Sequence, residues 1–311
     1  HHHRAMVTVM IAALYATGVR PGDKYMCPSS PAWGHGLWHG TLAPLALGIE
    51  ISTYAGKFDP EKLLAAIEKF KITNLSAAAT HYRMMRNINN PKKYSLKLKK
   101  LSFTGEPLDT ETAHWAKQTF GHDICSIYGS TEVGVIIANY PGSDDLPVKI
   151  GALGKPLPGC NVSILDQHGK NCQVGEIGEI MLWRGDSFFP VKDLGSIDED
   201  GYYFHHGRAD DVIISAGWTM SAVEIEDILL KHPDITEAAV IGVPDVQRGK
   251  IVKAFIVSKR PENIAFNKEV QSFVRDRLSR HEYPRLIKSV NELPKTPAGK
   301  VNRRALREQE N

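Results

Sequence analysis

Ile124-Cys125-Ser126-Ile127-Tyr128-Gly129-Ser130-Thr131-Glu132 is the stretch on which the fold reading turns. A short apolar run ends in small and polar residues, which predicts a strand over Ile124–Tyr128 that opens into a loop. Upstream, Asp59 can cap a helix with apolar positions Leu63, Leu64, Ile67 and Phe70, spaced by three and four. Ile72–Ala79 and Leu98–Phe103 read as strands, and Pro107 as the opening of a helix through Phe120. Strand and helix in alternation predict a parallel α/β sheet. In such sheets the loop after a strand is where ligands bind. Thr131 brings a hydroxyl, Glu132 a hard carboxylate oxygen suited to Mg²⁺, and Tyr128 an aromatic face. Taken alone, an ordinary strand-to-loop turn explains the segment at least as well.

Further along, the texture changes twice. From about Lys149, Gly and Pro become dense and short alternating strands follow at Asn161–Leu165, Glu179–Trp183 and Tyr202–His205. Near Asp210 a third texture begins, with strands at Val212–Ser215, Ala238–Val243, Val252–Val257 and Leu286–Val290. Helices are predicted at Ser221–Lys231, Phe266–Arg280 and from Arg304 onward. The expected division is residues 1–150 as an α/β part, 151–209 as a β-rich subdomain of the same large domain, and 210–311 as a small C-terminal α+β domain. No internal repeat interrupts this order.

The chain has 311 residues, a length that suggests two or three domains. Its hydrophobic content of 42% and charged content of 23% are ordinary for a globular protein. A formal net charge of +3 is too small to argue for nucleic acid as the main partner. The apolar runs, such as Leu42–Leu47, are too short to span a bilayer. Four cysteines without a C-x-x-C pair suggest neither a zinc ribbon nor a disulfide scaffold, and a reducing cytoplasm is the simpler expectation. His35 and His39 have metal-ligand spacing for a helix, but two nearby glycines and the lack of a third ligand argue against a metal there.

Three more segments carry possible chemistry. Thr104-Gly105-Glu106-Pro107-Leu108 follows a strand, and Gly105 permits close approach of backbone to a flat ligand. Lys192-Asp193-Leu194 and Gly207-Arg208-Ala209-Asp210-Asp211 place an Asp and an Arg in neighbouring turns, where they could grip a ribose diol. Pro294-Lys295-Thr296-Pro297-Ala298-Gly299-Lys300-Val301-Asn302-Arg303 presents a Lys after Gly. Each alone is explained by surface charge on turns. In this order they resemble the core motifs of the adenylate-forming (ANL) superfamily. Within it the chain looks most like AMP-dependent acyl-CoA synthetases of the medium-chain, aryl or alicyclic acid type. Lys57-Phe58-Asp59-Pro60, Pro244-Asp245-Val246-Gln247-Arg248-Gly249 and Tyr283-Pro284-Arg285 support that choice.

The resemblance implies ATP/AMP, Mg²⁺ and coenzyme A as cofactors and a small carboxylic acid as substrate. It implies that Lys300 bridges the acid and the α-phosphate, that Thr131 bonds a phosphate oxygen, and that Glu132 holds the metal. Gly105, Glu106, Pro107, Tyr128, Gly129, Ser130, Asp193 and Arg208 would bind the nucleotide. Asp210 would be the hinge of a mobile C-terminal domain. Gly217, Trp218 and Arg248 would face CoA. The acyl pocket would involve Trp33, His35, Trp38, Gly129 and Gly134, with Gly129 leaving it deep because it carries no side chain.

Two departures weigh against a simple transfer. The family's Gly/Ser/Thr-rich phosphate loop precedes a stretch that His1-His2-His3-Arg4-Ala5 resembles, so the chain is expected to begin after that loop; His1–His3 also read as a tag remnant. Thr219 stands where many relatives have Arg. An acyl-CoA synthetase is therefore weighed against a non-catalytic binding protein of the same fold and against an adenylation domain that loads a carrier protein.

Overall fold

The computed structural model describes residues 2–209, 213–215, 218–279, 281–295 and 301–310. Asp210, Gly217 and Lys300 lie outside them. The fold is mixed α/β. The chain divides into two compact units: His1–Val191 with Gly195–His205, and Lys192–Leu194 with His206–Asn311.

The first unit holds β1 Lys24–Cys27, β2 Glu50–Thr53, β3 Asn74–Ala78, β4 Lys100–Thr104, β5 Ile124–Ser130, β6 Gly134–Ala138, β7 Ala152–Pro156, β8 Val162–Leu165, β9 Gly178–Trp183 and most of β10 Phe188–Ile197 and β11 Tyr203–Arg208, whose Lys192–Leu194 and His206–Arg208 count with the second unit. They form one sheet in the order β2-β1-β3-β4-β5-β6-β7-β11-β10-β9-β8. The β2 to β5 half is parallel, and from the β5–β6 pair onward the described pairings are antiparallel. The β-rich stretch expected after Lys149 thus continues the parallel sheet edge to edge.

Helices α1 Ala5–Ala16, α2 Ala43–Ala46, α3 Pro60–Phe70, α4 Ala79–Arg86 and α5 Thr110–Phe120 accompany this sheet. Asp59 caps α3 by accepting from the Lys62 amide, Pro60 fits the first turn, and Lys71 ends the helix at φ 52. The buried face is Leu63, Leu64 and Ile67; Phe70, the fourth of the apolar positions, is 49% exposed. These three pack with Leu75, Tyr82, Met85 and Leu101 into a core whose side chains each contribute about 1.5–3 kcal/mol by burial. Helix α5 starts later than Pro107. Asp109 is its cap, accepting from the Thr112 amide at 2.8 Å, because its carboxylate oxygen satisfies a free first-turn N–H, which the proline side chain has no acceptor to do.

The second unit has β12 Ile213–Ser215 paired with β13 Trp218–Met220, then α6 Ala222–Leu229, β14 Ile235–Asp245, β15 Gly249–Ser258, α7 Ile264–Arg275, β16 Leu286–Ser289 and α8 Arg303–Glu308. Strand β15 pairs antiparallel with β14 and parallel with β16. Helix α7 ends at Arg275, short of the predicted Arg280. Ile225 and Leu229 of α6 and Phe266, Val270 and Val274 of α7 bury one face of this sheet.

The first unit also buries two imidazoles, His35 and His39, and half-buries a third, His81. Burial pulls His35 down to about 3, with His39 and His81 adding to the effect. Burial alone takes His39 and His81 to about 4. All three are uncharged in the folded chain at neutral pH, whereas an unfolded imidazole titrates near ~6.5. Between those values the unfolded chain binds more protons. Stability is therefore full above pH ~6.5 and is lost as pH falls toward the folded values. Thermal melts at pH 7 and pH 5 should show a lower midpoint at pH 5. His39→Phe should narrow the gap between them; an unchanged gap would show that His39 is not carrying it.

Candidate functional site

The predicted site residues fall in both units. In the first, β5 and β6 form a tight hairpin around Thr131, Glu132 and Val133, with a register shift between Tyr128 and Gly129. Ser130 Oγ donates to Glu132 Oε2 at 2.7 Å, and Arg184 donates to the Glu132 carbonyl. Thr131 and Glu132 are exposed at the turn. The Tyr128 ring is half-buried and tilted against His205, centroids 6.0 Å apart.

Gly129 has a packing role that the sequence reading did not name. A Cβ built there would fall on the Gly134 carbonyl oxygen and crowd the Gly134 carbon and Val135 Cα. Its missing side chain lets the two strands close on each other. Gly134 has open space where a Cβ would go but sits at φ 71. A bulky group at 129 would break the hairpin before it could fill an acyl site.

The loop after β4 carries Gly105 at φ 102, where a Cβ would meet the Trp33 ring at 3.2 Å. Its neighbour Glu106 accepts from Arg83 at 2.7 Å. Trp33 lies edge-on to His35 with centroids 5.3 Å apart. His35 is buried, and its two ring nitrogens meet Ser29 Oγ at 2.9 Å and Ser76 Oγ at 2.8 Å. One nitrogen donates and the other accepts, so a neutral imidazole is fully used by these contacts. Residues His35–Leu42, including the half-buried Trp38, form a π-helix. The sequence signal that was missed is Gly36 and Gly40. A Cβ at Gly36 would strike the Ser29 and Ser30 carbonyls, and one at Gly40 the Cys27 side chain.

In the second unit, Asp193 is buried and its Oδ1 lies 3.2 Å from Arg208 Nη1. The residue before it, Lys192, has φ 66. A non-glycine residue in the left-handed region is strained, and such strain gathers where a neighbouring side chain must be aimed. Ser221 caps α6 and donates to the His206 carbonyl at 2.9 Å, tying the helix start to the strand that carries Arg208. Trp218 is 56% exposed and stacks on His281 at 4.1 Å, a partner that the sequence reading did not name. Arg248 is exposed, its amide donating to Asp245 Oδ1 at 2.8 Å. Lys295 and Val301, which flank the 296–300 stretch, pair as a bridge, and the Asn302 amide donates to the Pro294 carbonyl at 2.7 Å. Among the described residues no three His, Cys, Asp or Glu side chains come together as a metal cluster. A lone carboxylate such as Glu132 suits Mg²⁺, which takes one or two protein carboxylates and fills its shell with phosphate and water.

The model of the AMP-binding enzyme family matches residues 1–190, and that of its C-terminal domain matches residues 224–300. The chain is 34% identical over 314 residues to an acyl–CoA ligase of Bacillus subtilis (strain 168), YtcI, itself named as uncharacterized; the match covers 93% of this chain and 58% of the relative. It is 35% identical over 313 residues to the mitochondrial acyl-coenzyme A synthetase ACSM3 of Mus musculus, covering 91% and 53%. The chain thus spans little more than half the length of the curated relatives it matches. Among solved structures, ATP-bound MatB from Rhodopseudomonas palustris superposes with a TM-score of 0.85 at 27% identity, covering 97% of this chain and 63% of MatB. A benzoate CoA ligase from Burkholderia xenovorans LB400 gives 0.81 at 27%, covering 99% and 66%.

The hairpin makes a direct prediction. Gly129→Ala should cost about 1–3 kcal/mol through overpacking against backbone, and Gly134→Ala only the ~1–2 kcal/mol of left-handed strain. A thermal melt in which Gly129→Ala leaves the midpoint unchanged would show that the strands do not close as described. With the motif order and the family-model match over residues 1–190 together, the chain belongs to the AMP-binding enzyme family.

Proposed function

We propose that the natural protein is an AMP-forming acyl-CoA synthetase acting on a medium-chain, aryl or alicyclic acid. The observation that carries this reading is the buried Asp193 carboxylate held against Arg208. An ionised carboxylate only accepts hydrogen bonds, so it suits the two hydroxyls of a ribose. Relatives named acyl-coenzyme A synthetase support the reaction class.

Adenylation brings an anionic carboxylate onto an anionic α-phosphate, and the barrier is largely charge repulsion. Lys300 would set its ammonium between the two. The Thr131 hydroxyl would bond a phosphate oxygen, and Tyr128 with the Gly105-Glu106-Pro107 loop and the Gly129-Ser130 turn would hold adenine. Mg²⁺, held through Glu132, would neutralise phosphate charge when bound. The acid would attack the α-phosphorus, releasing diphosphate; the CoA thiol would then attack the acyl carbonyl and release AMP. Residues 210–311 would swing about Asp210 between these halves, bringing Gly217, Trp218 and Arg248 to CoA. Trp33, His35 and Trp38 would lie on the acyl side.

Lys300→Ala in the natural protein should lower acyl-adenylate formation by about 10²–10³-fold, the cost of removing a preorganised charge-stabilising group. Thioester formation from supplied acyl-adenylate and CoA should survive. Equal loss of both half-reactions in a folded variant would contradict this assignment.

A further inference from the structure

Arg83 lies in the last turn of α4, away from every motif that carried the family resemblance. Its guanidinium nevertheless reaches the loop after β4 with all three nitrogens. Nη1 donates to Glu106 Oε1 at 2.7 Å, Nη2 to the Pro107 carbonyl at 2.7 Å, and Nε to Asp109 Oδ2 at 3.0 Å. Three acceptors within four consecutive residues are matched by one planar fork. This is the geometry that separates Arg from Lys.

The loop has reason to need such a brace. Gly105 holds φ 102, where only glycine is comfortable, and it packs against the Trp33 ring. Pro107 offers no N–H, so it cannot be fastened as a donor. Arg83 instead takes the Pro107 carbonyl and the Glu106 carboxylate, the two groups that leave the turn next to Gly105.

Arg86, one turn on, provides an internal comparison. It meets Asp109 Oδ1 at 3.0 Å, Thr112 Oγ1 at 3.1 Å and Glu111 Oε2 at 3.1 Å. Those contacts brace the cap of α5 and touch neither Glu106 nor Pro107. Two arginines of one helix thus divide the work, one holding the loop and the other the helix start.

We infer that Arg83 is a positioning residue that sets the Gly105-Glu106-Pro107 loop in the shape that receives the nucleotide base. The inference rests on the proposed reading of that loop as part of the nucleotide site. A preordered loop spares the ligand the cost of ordering it, so the brace should register in affinity as well as in stability.

The experiment is a calorimetric titration of this chain with AMP, with thermal melts run alongside. Arg83→Ala should weaken AMP binding about tenfold, the equivalent of ordering one or two side chains on binding. Arg83→Lys keeps the stem and the charge but cannot meet three acceptors in a plane. It should fail to restore affinity, and it carries the test if Arg83→Ala does not fold. Arg86→Ala should lower the melting midpoint yet leave AMP affinity unchanged. Folded Arg83 variants that bind AMP as the unaltered chain does would overturn the inference, and so would an Arg86→Ala variant that loses as much affinity as Arg83→Ala. A folded, unaltered chain that takes no AMP would instead overturn the nucleotide reading of the loop, and the inference with it.

Discussion

The close approach of β6 to β5 is the constraint on which the arrangement rests. At Gly129 the Gly134 carbonyl occupies the space of a side chain. Here the sheet changes from parallel to antiparallel pairing, and the turn between the strands pushes Thr131 and Glu132 out past the carboxyl end of β5. A residue with a Cβ at 129 would hold the strands apart and shift both side chains. The packing need alone therefore accounts for a glycine at 129, whatever else that position does.

The elements that the sequence discloses are those governed by local chemistry. Asp59, Pro60 and the Leu63-Leu64-Ile67 face define α3 because cap, first turn and periodicity agree within one segment. Helix α5 begins three residues after the expected Pro107 for the same kind of reason: Pro107 is a good first-turn residue, but Asp109 both caps the helix and anchors arginines from α4. What could not be read is long-range. The π-helix at His35–Leu42 depends on Gly36 and Gly40 fitting against Ser29, Ser30 and Cys27 of the preceding segment. The Arg83 fork joins residues twenty or more positions apart, and nothing in the local pattern around Arg83 marks it.

The same division separates the candidate site. Its motifs were legible because each is contiguous: Tyr128 to Glu132, Gly105 to Pro107, and Gly207-Arg208, which was expected in a turn and instead ends strand β11. The supports were not, since they come from Arg83 on a helix, Arg184 just after β9, and His281 stacked on Trp218. Residues that would share one ligand keep short spacings within a motif; the groups that aim them need only share the fold. His35 shows the converse, a motif-like residue whose two ring nitrogens are spent on Ser29 and Ser76, as a buried imidazole requires.

The proposed function requires that the natural protein join a carboxylate to the α-phosphate of ATP before any thiol takes part. Isotope exchange between labelled diphosphate and ATP tests it most directly, measured on the natural protein with medium-chain, aryl and alicyclic acids and with CoA left out. The account predicts exchange that depends on the acid and proceeds without CoA. Thioester formation from one of these acids with no exchange in the absence of CoA would contradict it.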